Sequence, residues 1–364
     1  MESAAALAGD VVVVRYATAA MFVAALEPHL RRSSWAANLL LAPAFAPSAS
    51  ECLFLATWPS STTSAGASQR PRPVLMLARV DAFPIFVSFT DACDGNDVEV
   101  VGRHVEALAE HLAGRVSAEW LGTVRRVTGP AWLSRPLADA VGRLLNRRAT
   151  PHWTLTAAAC TSTTLRLVDQ AGSGATATTS GGGGEEGEVR RFVVGRDDEE
   201  RLARLYEVFV LPPTPIDECR HQVRRTLADE PGSRVFVHVM RSAADDHDIN
   251  DDHGDVKKKE EEEVITGFLY LKRETPFNFA ISAVCTAPEY RCRGIAGRLV
   301  RAATRWALAP ADSDGGGGKK EVCIFWMEEA PGRIYRKAGF GDDGMMGDWA
   351  GWTFEGLDAG PWPS

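Results

Sequence analysis

Apolar and polar positions along this 364-residue chain switch between two periods, and the switching repeats. In the second half "VRRFVVG" (189–195) alternates as a strand does. "DDEERLARLYEVF" (197–209) and "PIDECRHQVRRTLAD" (215–229) have helical spacing behind acidic openings that suit a helix N-terminus. Three strand-like runs follow: "SRVFVHVM" (233–240), "EVITGFLYLKRE" (263–274) and "FNFAISAVCTA" (277–287). "GIAGRLVRAATRWAL" (294–308) then sets Ile295, Leu299, Ala302, Ala303 and Trp306 on one helical face. "EVCIFWM" (321–327) reads as a buried strand and "GRIYRKAGF" (332–340) as a short helix stopped by Gly339. "MMGDWAGWTFE" (345–355) reads as a last strand. The order is β-α-α-β-β-β-α-β-α-β.

The first half follows much the same order. "VVVVRY" (11–16) is a strand, and helical segments run from Ala17 to about Leu41. Strands are expected at "CLFLATW" (52–58), "PVLMLARV" (73–80) and "FPIFVSFT" (83–90). "GRHVEALAEHLAG" (102–114) is a helix, and "SRPLADAVGRLL" (134–145) another, with Ser134 as cap and Pro136 in its first turn. "HWTLTAAA" (152–159) and "TTLRLV" (163–168) close the half as strands. The pattern predicts a diverged internal duplication in an α/β (α+β) chain: two mixed-sheet domains at 1–168 and 189–364, joined by a linker at 169–188.

Three segments lack any face to bury. "QAGSGATATTSGGGGEEGE" (170–188) is small, polar and Gly-rich, and it reads as the linker rather than a phosphate loop. "DDHDINDDHGDVKKKEEEE" (245–263) is a charge block. Asp248, Asn250 and Asp252 there have the spacing that opens a calcium loop, but the turn glycine, Gly254, comes one position late, and no metal site is expected. His247 and His253 beside them read as exposed. "PADSDGGGGKK" (310–320) is a third loop.

Composition narrows the class. Apolar residues make up 45% and charged residues 24%, as in ordinary globular cores. A net charge of −8 argues against a general nucleic-acid binder. Seven cysteines (Cys52, Cys93, Cys160, Cys219, Cys285, Cys292 and Cys323) include no C-x-x-C pair and read as reduced thiols. The opening "MESAAALAGDVVVV" lacks a basic leader, and "WAANLLLAPAFAP" is too short and broken to span a bilayer. A cytoplasmic monomer or homodimer without membrane contact is the expectation.

On this acidic background "EYRCRGIAGRL" (289–299) stands out. It falls where a strand ends and a helix begins. The first turn of a helix has unpaired N–H groups and the positive end of the dipole. Gly294 and Ala296 remove side-chain bulk, so a diphosphate could approach those groups, with Arg291, Arg293 or Arg298 adding charge. The same spacing also fits a plain strand–helix turn with surface arginines.

In this element order, "VCTAPEYRCRGIAGRLV" resembles the P-x-x-[QR]-x-x-G-x-[GA] pyrophosphate loop of the GNAT superfamily of acyl-CoA-dependent N-acyltransferases, and "GRIYRKAGF" resembles its C-terminal tyrosine segment. The resemblance covers about 190–356, and 11–168 by element order only. The chain is similar to the tandem type, with a degenerate first half and an active second half. The resemblance implies acetyl-CoA as co-substrate. It implies that backbone groups of Val284 and Thr286 pair with the pantetheine arm. It implies that N–H groups of Arg293, Gly294, Ile295, Ala296 and Gly297 hold the pyrophosphate, with Arg291 and Arg298 beside them. It implies that Tyr335 protonates the departing thiolate. Two features depart from the family: "MEEAPGRIY" lacks an asparagine common there, and Cys292 stands where glycine is common.

Amine acetylation also needs a base, since an alkylammonium of pKa ~10 must first lose a proton. Glu328 ends the "CIFWMEE" strand and is the first candidate; Glu329, Glu207 and His238 are the others. In the first half the equivalent junction, "FVSFTDACDGNDVEVVGRHVEAL", carries Asp91, Asp94, Asp97 and Glu99, which would repel a diphosphate. That half is expected to wall the acceptor pocket, with Trp35, Asn38, Trp120 and Trp132 as contributors or as core. The expected reaction is acetyl transfer to a primary amine of a small molecule by direct attack in a ternary complex. A protein lysine or N-terminal acetyltransferase and a non-catalytic acyl-CoA-binding module are the alternatives.

Overall fold

The computed structural model describes residues 6–8, 10–30, 34–41, 52–60, 72–80, 84–93, 97–165, 187–210, 213–229, 234–241, 263–311, 316–341 and 345–358. The glycine run at 181–184, residues 247–254 with both histidines, and Asp94 lie outside the described residues.

The first half runs β1 (Ala6–Ala8), β2 (Val11–Tyr16), α1 (Ala19–Leu26), α2 (Ser34–Leu41), β3 (Cys52–Pro59), β4 (Leu75–Val80), β5 (Ile85–Phe89), α3 (Val98–Arg115), α4 (Ala118–Gly122), β6 (Arg126–Pro130), α5 (Ala131–Leu145) and β7 (Ala149–Thr161). The second runs β8 (Glu188–Arg191), α6 (Glu199–Phe209), α7 (Ile216–Asp229), β9 (Val235–Arg241), β10 (Glu263–Lys272), β11 (Asn278–Thr286), α8 (Ile295–Leu308), β12 (Glu321–Trp326), α9 (Glu329–Arg336) and β13 (Met346–Phe354).

Among the described residues thirteen strands form one mixed sheet, ordered β1-β2-β3-β4-β5-β6-β13-β7-β12-β11-β10-β9-β8. The halves exchange their last strands. β13, from the end of the chain, lies between β6 and β7, while β7, from the first half, pairs antiparallel with β12 from Thr161↔Glu321 to Thr156↔Trp326. Each half holds one parallel pair: β5 with β6, and β11 with β12. Helices α3 and α5 cover one stretch of the sheet around Leu108, Leu112, Leu137 and Val141; α8 covers another around Ile295, Leu299 and Ala303; α6 and α7 cover the opposite face of β9–β11.

A buried polar seam joins α2 of the first half to β11 and β12 of the second. Ser34 Oγ donates to Glu321 Oε1 at 2.6 Å, and Asn278 Nδ2 donates to the same oxygen at 2.8 Å. Asn38 Nδ2 donates to Asn278 Oδ1 at 2.7 Å, and Thr275 Oγ1 donates there at 2.8 Å. Burial pushes the Glu321 carboxyl above the usual range, and its two donors pull the other way. Apolar packing around the seam draws on both halves: Trp35, Leu40 and Phe86 with Phe277, Ala280 and Trp349.

Two local expectations are corrected. Ser134 is not a cap: α5 starts earlier, at Ala131, because the backbone turns into the helix straight from β6, and Ser134 is buried inside it, accepting from Trp352 Nε1 at 3.1 Å. Residues 162–165 are helical rather than a strand, with the Thr164 hydroxyl bonded back onto the Thr161 amide at 2.9 Å.

Two outcomes test this organisation. Residues 189–364 alone lack β7 and leave β12 with a bare edge, so the fragment should aggregate on size exclusion or melt without cooperativity; a soluble fragment with a sharp melt would contradict this. Asn278→Ala leaves Glu321, Asn38 and Thr275 short of partners and should cost about 2–3 kcal/mol in urea unfolding.

Candidate active site

The second half opens where its parallel strands separate. β11 and β12 pair from Asn278↔Glu321 to Ile281↔Ile324 and no further. The next residue, Ser282, is extra in the ladder to β10, where Leu271 pairs with Ile281 but Tyr270 with Ala283. A bulge bends its strand and sharpens the twist, so β11 turns away from β12 at this point. Beyond it β11 stays bonded to β10 through Gly267↔Thr286, and β12 stays bonded to β7 through Trp326. The wedge between them is bordered by Val284 and Thr286, both half-buried, on one side and Phe325 and Trp326 on the other.

The loop after β11 leads into α8. A short 3-10 turn (Pro288–Tyr290) is followed by Arg291, Cys292 and Arg293, all exposed, with Cys292 at φ 64°. Gly294 has φ 76°, and a Cβ there would meet nothing within 4 Å. Its left-handed backbone favours glycine, and the space above it is open. Helix α8 has no side-chain cap; the first amide paired within it is that of Arg298, given to Gly294 O at 3.1 Å. The N–H groups of Ile295, Ala296 and Gly297 therefore point out of the helix end at its positive pole. Such an end accommodates an anion, which is the fit a diphosphate requires.

The arginines divide. Arg293 lies over the Tyr290 ring at 5.2 Å, and Arg291 Nε reaches Thr286 O at 3.4 Å, both beside the helix end. The Arg298 guanidinium turns inward, with Nη2 3.0 Å from His238 Nε2. Arg201 of α6 gives Nε to Ile265 O at 3.1 Å and Nη2 to Glu289 at 2.9 Å, bracing the loop. A hydrogen bond from its own backbone and then Arg201 hold the Glu289 carboxyl below its usual range. Gly267 completes the support: a Cβ there would stand 2.8 Å from the Cys285 carbonyl oxygen and 3.1 and 3.2 Å from the Ile295 and Leu299 side chains, so glycine fits where β10 meets both β11 and α8. Neither Arg201 nor Gly267 is among the sequence-based candidates; a glycine inside an apolar strand was the available signal.

Tyr335 is 9% exposed, its ring 5.5 Å from that of Trp326 at the end of β12. Burial pushes its phenol up to about 12, so it keeps its proton at neutral pH. α9 also touches the start of α8, where a Cβ on Gly297 would be 3.9 Å from Ile334. Glu328 is exposed at the N-cap of α9, whereas Glu329 pairs with Arg336. Glu207 is exposed on α6. His238 is buried, and desolvation followed by the Arg298 charge pulls its pKa down to about 4.

The first half repeats this geometry with the openings filled. β5 pairs with β6 only at Ile85↔Val127 and Phe86↔Thr128, yet Val87 then lies so close to Gly129 that a Cβ there would sit 2.5 Å from Val87 O. Helix α3 carries its own anion: the Asp97 carboxylate accepts the Val100 amide at 3.0 Å. Between α3 and α5 a small apolar hollow of about 120 Å³ is lined by Val98, Val101, Gly102, Trp132 and Pro136. Of the other expected wall residues, Asn38 and Trp35 are buried in the seam, and Trp120 stacks under Arg79 at 4.4 Å.

Gly294→Val should lower stability by about 1–3 kcal/mol through its backbone alone, read by urea unfolding, since no neighbour is struck. Stability should also fall as pH drops from about 6.5 toward 4, because His104 and His238 are both pulled down to about 4 by burial. Their contribution is complete above the unfolded pKa and lost as they protonate. Urea midpoints at pH 7 and pH 5 check this, and His238→Gln should flatten the slope.

Residues 221–312 match the family model described as acetyltransferase (GNAT) family. No curated protein matches the chain. Among solved structures the chain is similar to a tandem GNAT protein from the clavulanic acid biosynthesis pathway, at 14% identity and a TM-score of 0.44, over 97% of this chain and 100% of that one. It is also similar to a GCN5-related N-acetyltransferase from Sphaerobacter thermophilus, at 14% identity and a TM-score of 0.46, over 96% and 97% of the two chains. A GCN5-related N-acetyltransferase from Kribbella flavida gives 13% identity and a TM-score of 0.41, over 78% and 87%. The matched segment spans α7 to α8 and the loop between β11 and α8, so residues 221–312 of the second half carry the acetyltransferase (GNAT) family match.

Proposed function

We propose that this protein is an N-acetyltransferase that moves the acetyl group of acetyl-CoA to a primary amine of a small molecule, by direct attack while both substrates are bound. The observation that carries the reading is the uncapped start of α8 at Gly294, open above its Cα and placed where β11 leaves β12. The GNAT fold supports acyl-CoA-dependent acetyl transfer in general.

The amides of Ile295, Ala296 and Gly297 would hold the diphosphate, with Arg293 and Gly294 at the entrance and Arg291 adding charge. Val284 and Thr286, on the β11 edge that β12 has left, would pair with the amide-bearing arm as a further strand would. Acetyl-CoA supplies the activated acetyl thioester. Tyr335 holds a proton for the leaving sulfur, since its raised pKa keeps the phenol neutral across physiological pH. Glu328, exposed at the N-cap of α9 two residues past the strand that borders the wedge, is the candidate base for the acceptor ammonium.

A screen of amines, amino acids and peptides for acetyl-CoA-dependent thiol release tests the reading, with turnover of a small amine expected. Tyr335→Phe should lower kcat about 100-fold or more while the protein still melts cooperatively. Unchanged turnover in that variant would remove the acid role. CoA binding without turnover of any acceptor would replace the enzyme with a binding module.

A further inference from the structure

The loop between β11 and α8 is fastened at both ends to one residue. Thr266 is the extra residue of β10 against β9, where Ile265 pairs with Val239 but Gly267 with His238. A bulge re-aims the residue it carries. The Thr266 carbonyl accepts the Ala287 amide at 2.9 Å, at the start of the loop. Its hydroxyl lies 2.7 Å from His238 Nδ1, and His238 Nε2 lies 3.0 Å from Arg298 Nη2, in the first turn of α8.

Chemistry fixes the direction of each bond. A guanidinium only donates, so His238 Nε2 accepts. The neutral ring then carries its proton on Nδ1 and donates to Thr266 Oγ1. The Thr266 hydroxyl gives its own hydrogen to His238 O at 3.3 Å. His238 and Thr266 are fully buried, and a Cβ on Gly187 would collide with the His238 Cε1, so the ring is closed in while the half-buried Arg298 forms the outer end of the chain of bonds.

We propose that Thr266, His238 and Arg298 form a positioning relay for the coenzyme site. It sets the span between Ala287 and the first turn of α8, and with it the aim of the Ile295–Gly297 amides at a diphosphate. The relay side chains act through the loop rather than on the ligand. A loop held in its binding shape beforehand loses less freedom on binding, so the relay appears as affinity. The inference rests on the acetyl-CoA reading above.

Calorimetric titration of CoA into the wild type comes first. No binding there overturns the acetyl-CoA reading, and the relay's purpose with it, before any variant is made. With binding established, His238→Leu should weaken CoA affinity about tenfold, or about 1.4 kcal/mol. His238→Gln offers one acceptor and one donor, as the neutral ring does, and should return to within about threefold of wild type. Arg298→Met should match His238→Leu, and the double variant should be no weaker than either single, as expected of two groups in one link. Wild-type affinity in a cooperatively melting His238→Leu protein overturns the relay. So does a Gln variant as weak as the Leu one. So do losses that add in the double, because a direct contact of Arg298 with the ligand would give that result. If His238→Leu does not melt cooperatively, the half-buried Arg298→Met decides alone: unchanged affinity overturns the relay, and a tenfold loss supports it.

Discussion

The parting of β11 from β12 after four parallel pairs is the constraint on which the site depends. Backbone N–H and C=O groups need partners, and a strand edge that loses its neighbour keeps that need. Ser282 supplies the bend, and β7 keeps β12 from following β11. The result is a wedge with one hydrogen-bonding wall, and the loop that continues β11 leads into the uncapped start of α8.

The first half shows what happens when the same frame meets other residues. Its parallel strands also part, but Val87 closes on Gly129, and the helix that follows is capped by Asp97. The protein's own carboxylate occupies the position an external anion would take. Glu99 in that first turn adds further negative charge. At this junction the halves differ by the approach of Val87 to Gly129 at two strand ends and by the Asp97 cap on the helix.

Strand exchange makes the halves interdependent. β7 completes the sheet that holds the wedge, and β13 completes the sheet of the half that lacks it. The seam of Ser34, Asn38, Asn278 and Glu321 adds directional bonds that apolar packing could not, since a buried carboxyl without donors is costly and these four residues meet in one register. The first half thus supports the β11–β12 pair from the end opposite the wedge.

The element order of the second half and the Gly294 turn were legible in the chain because they are local: periodicity, capping and conformational freedom act within a few residues. Tyr335 and the Arg291–Arg298 segment were legible for the same reason, as short motifs. Other features depend on residues far apart in sequence. Nothing near Arg298 says that its guanidinium turns inward to His238, 60 residues earlier, rather than out to a phosphate. Nothing near β13 says that it enters the first half's sheet, because an apolar strand pairs with whichever edge the tertiary arrangement leaves bare. The sequence by itself determined the order of strands and helices in the second half and the left-handed turn at Gly294, while β6 and the helical residues 162–165 were not legible in it. The tertiary structure alone decided which strands meet, which arginine turns inward, and which of two similar strand openings stays unfilled, because those choices are made by contacts between distant segments competing for the same buried partners.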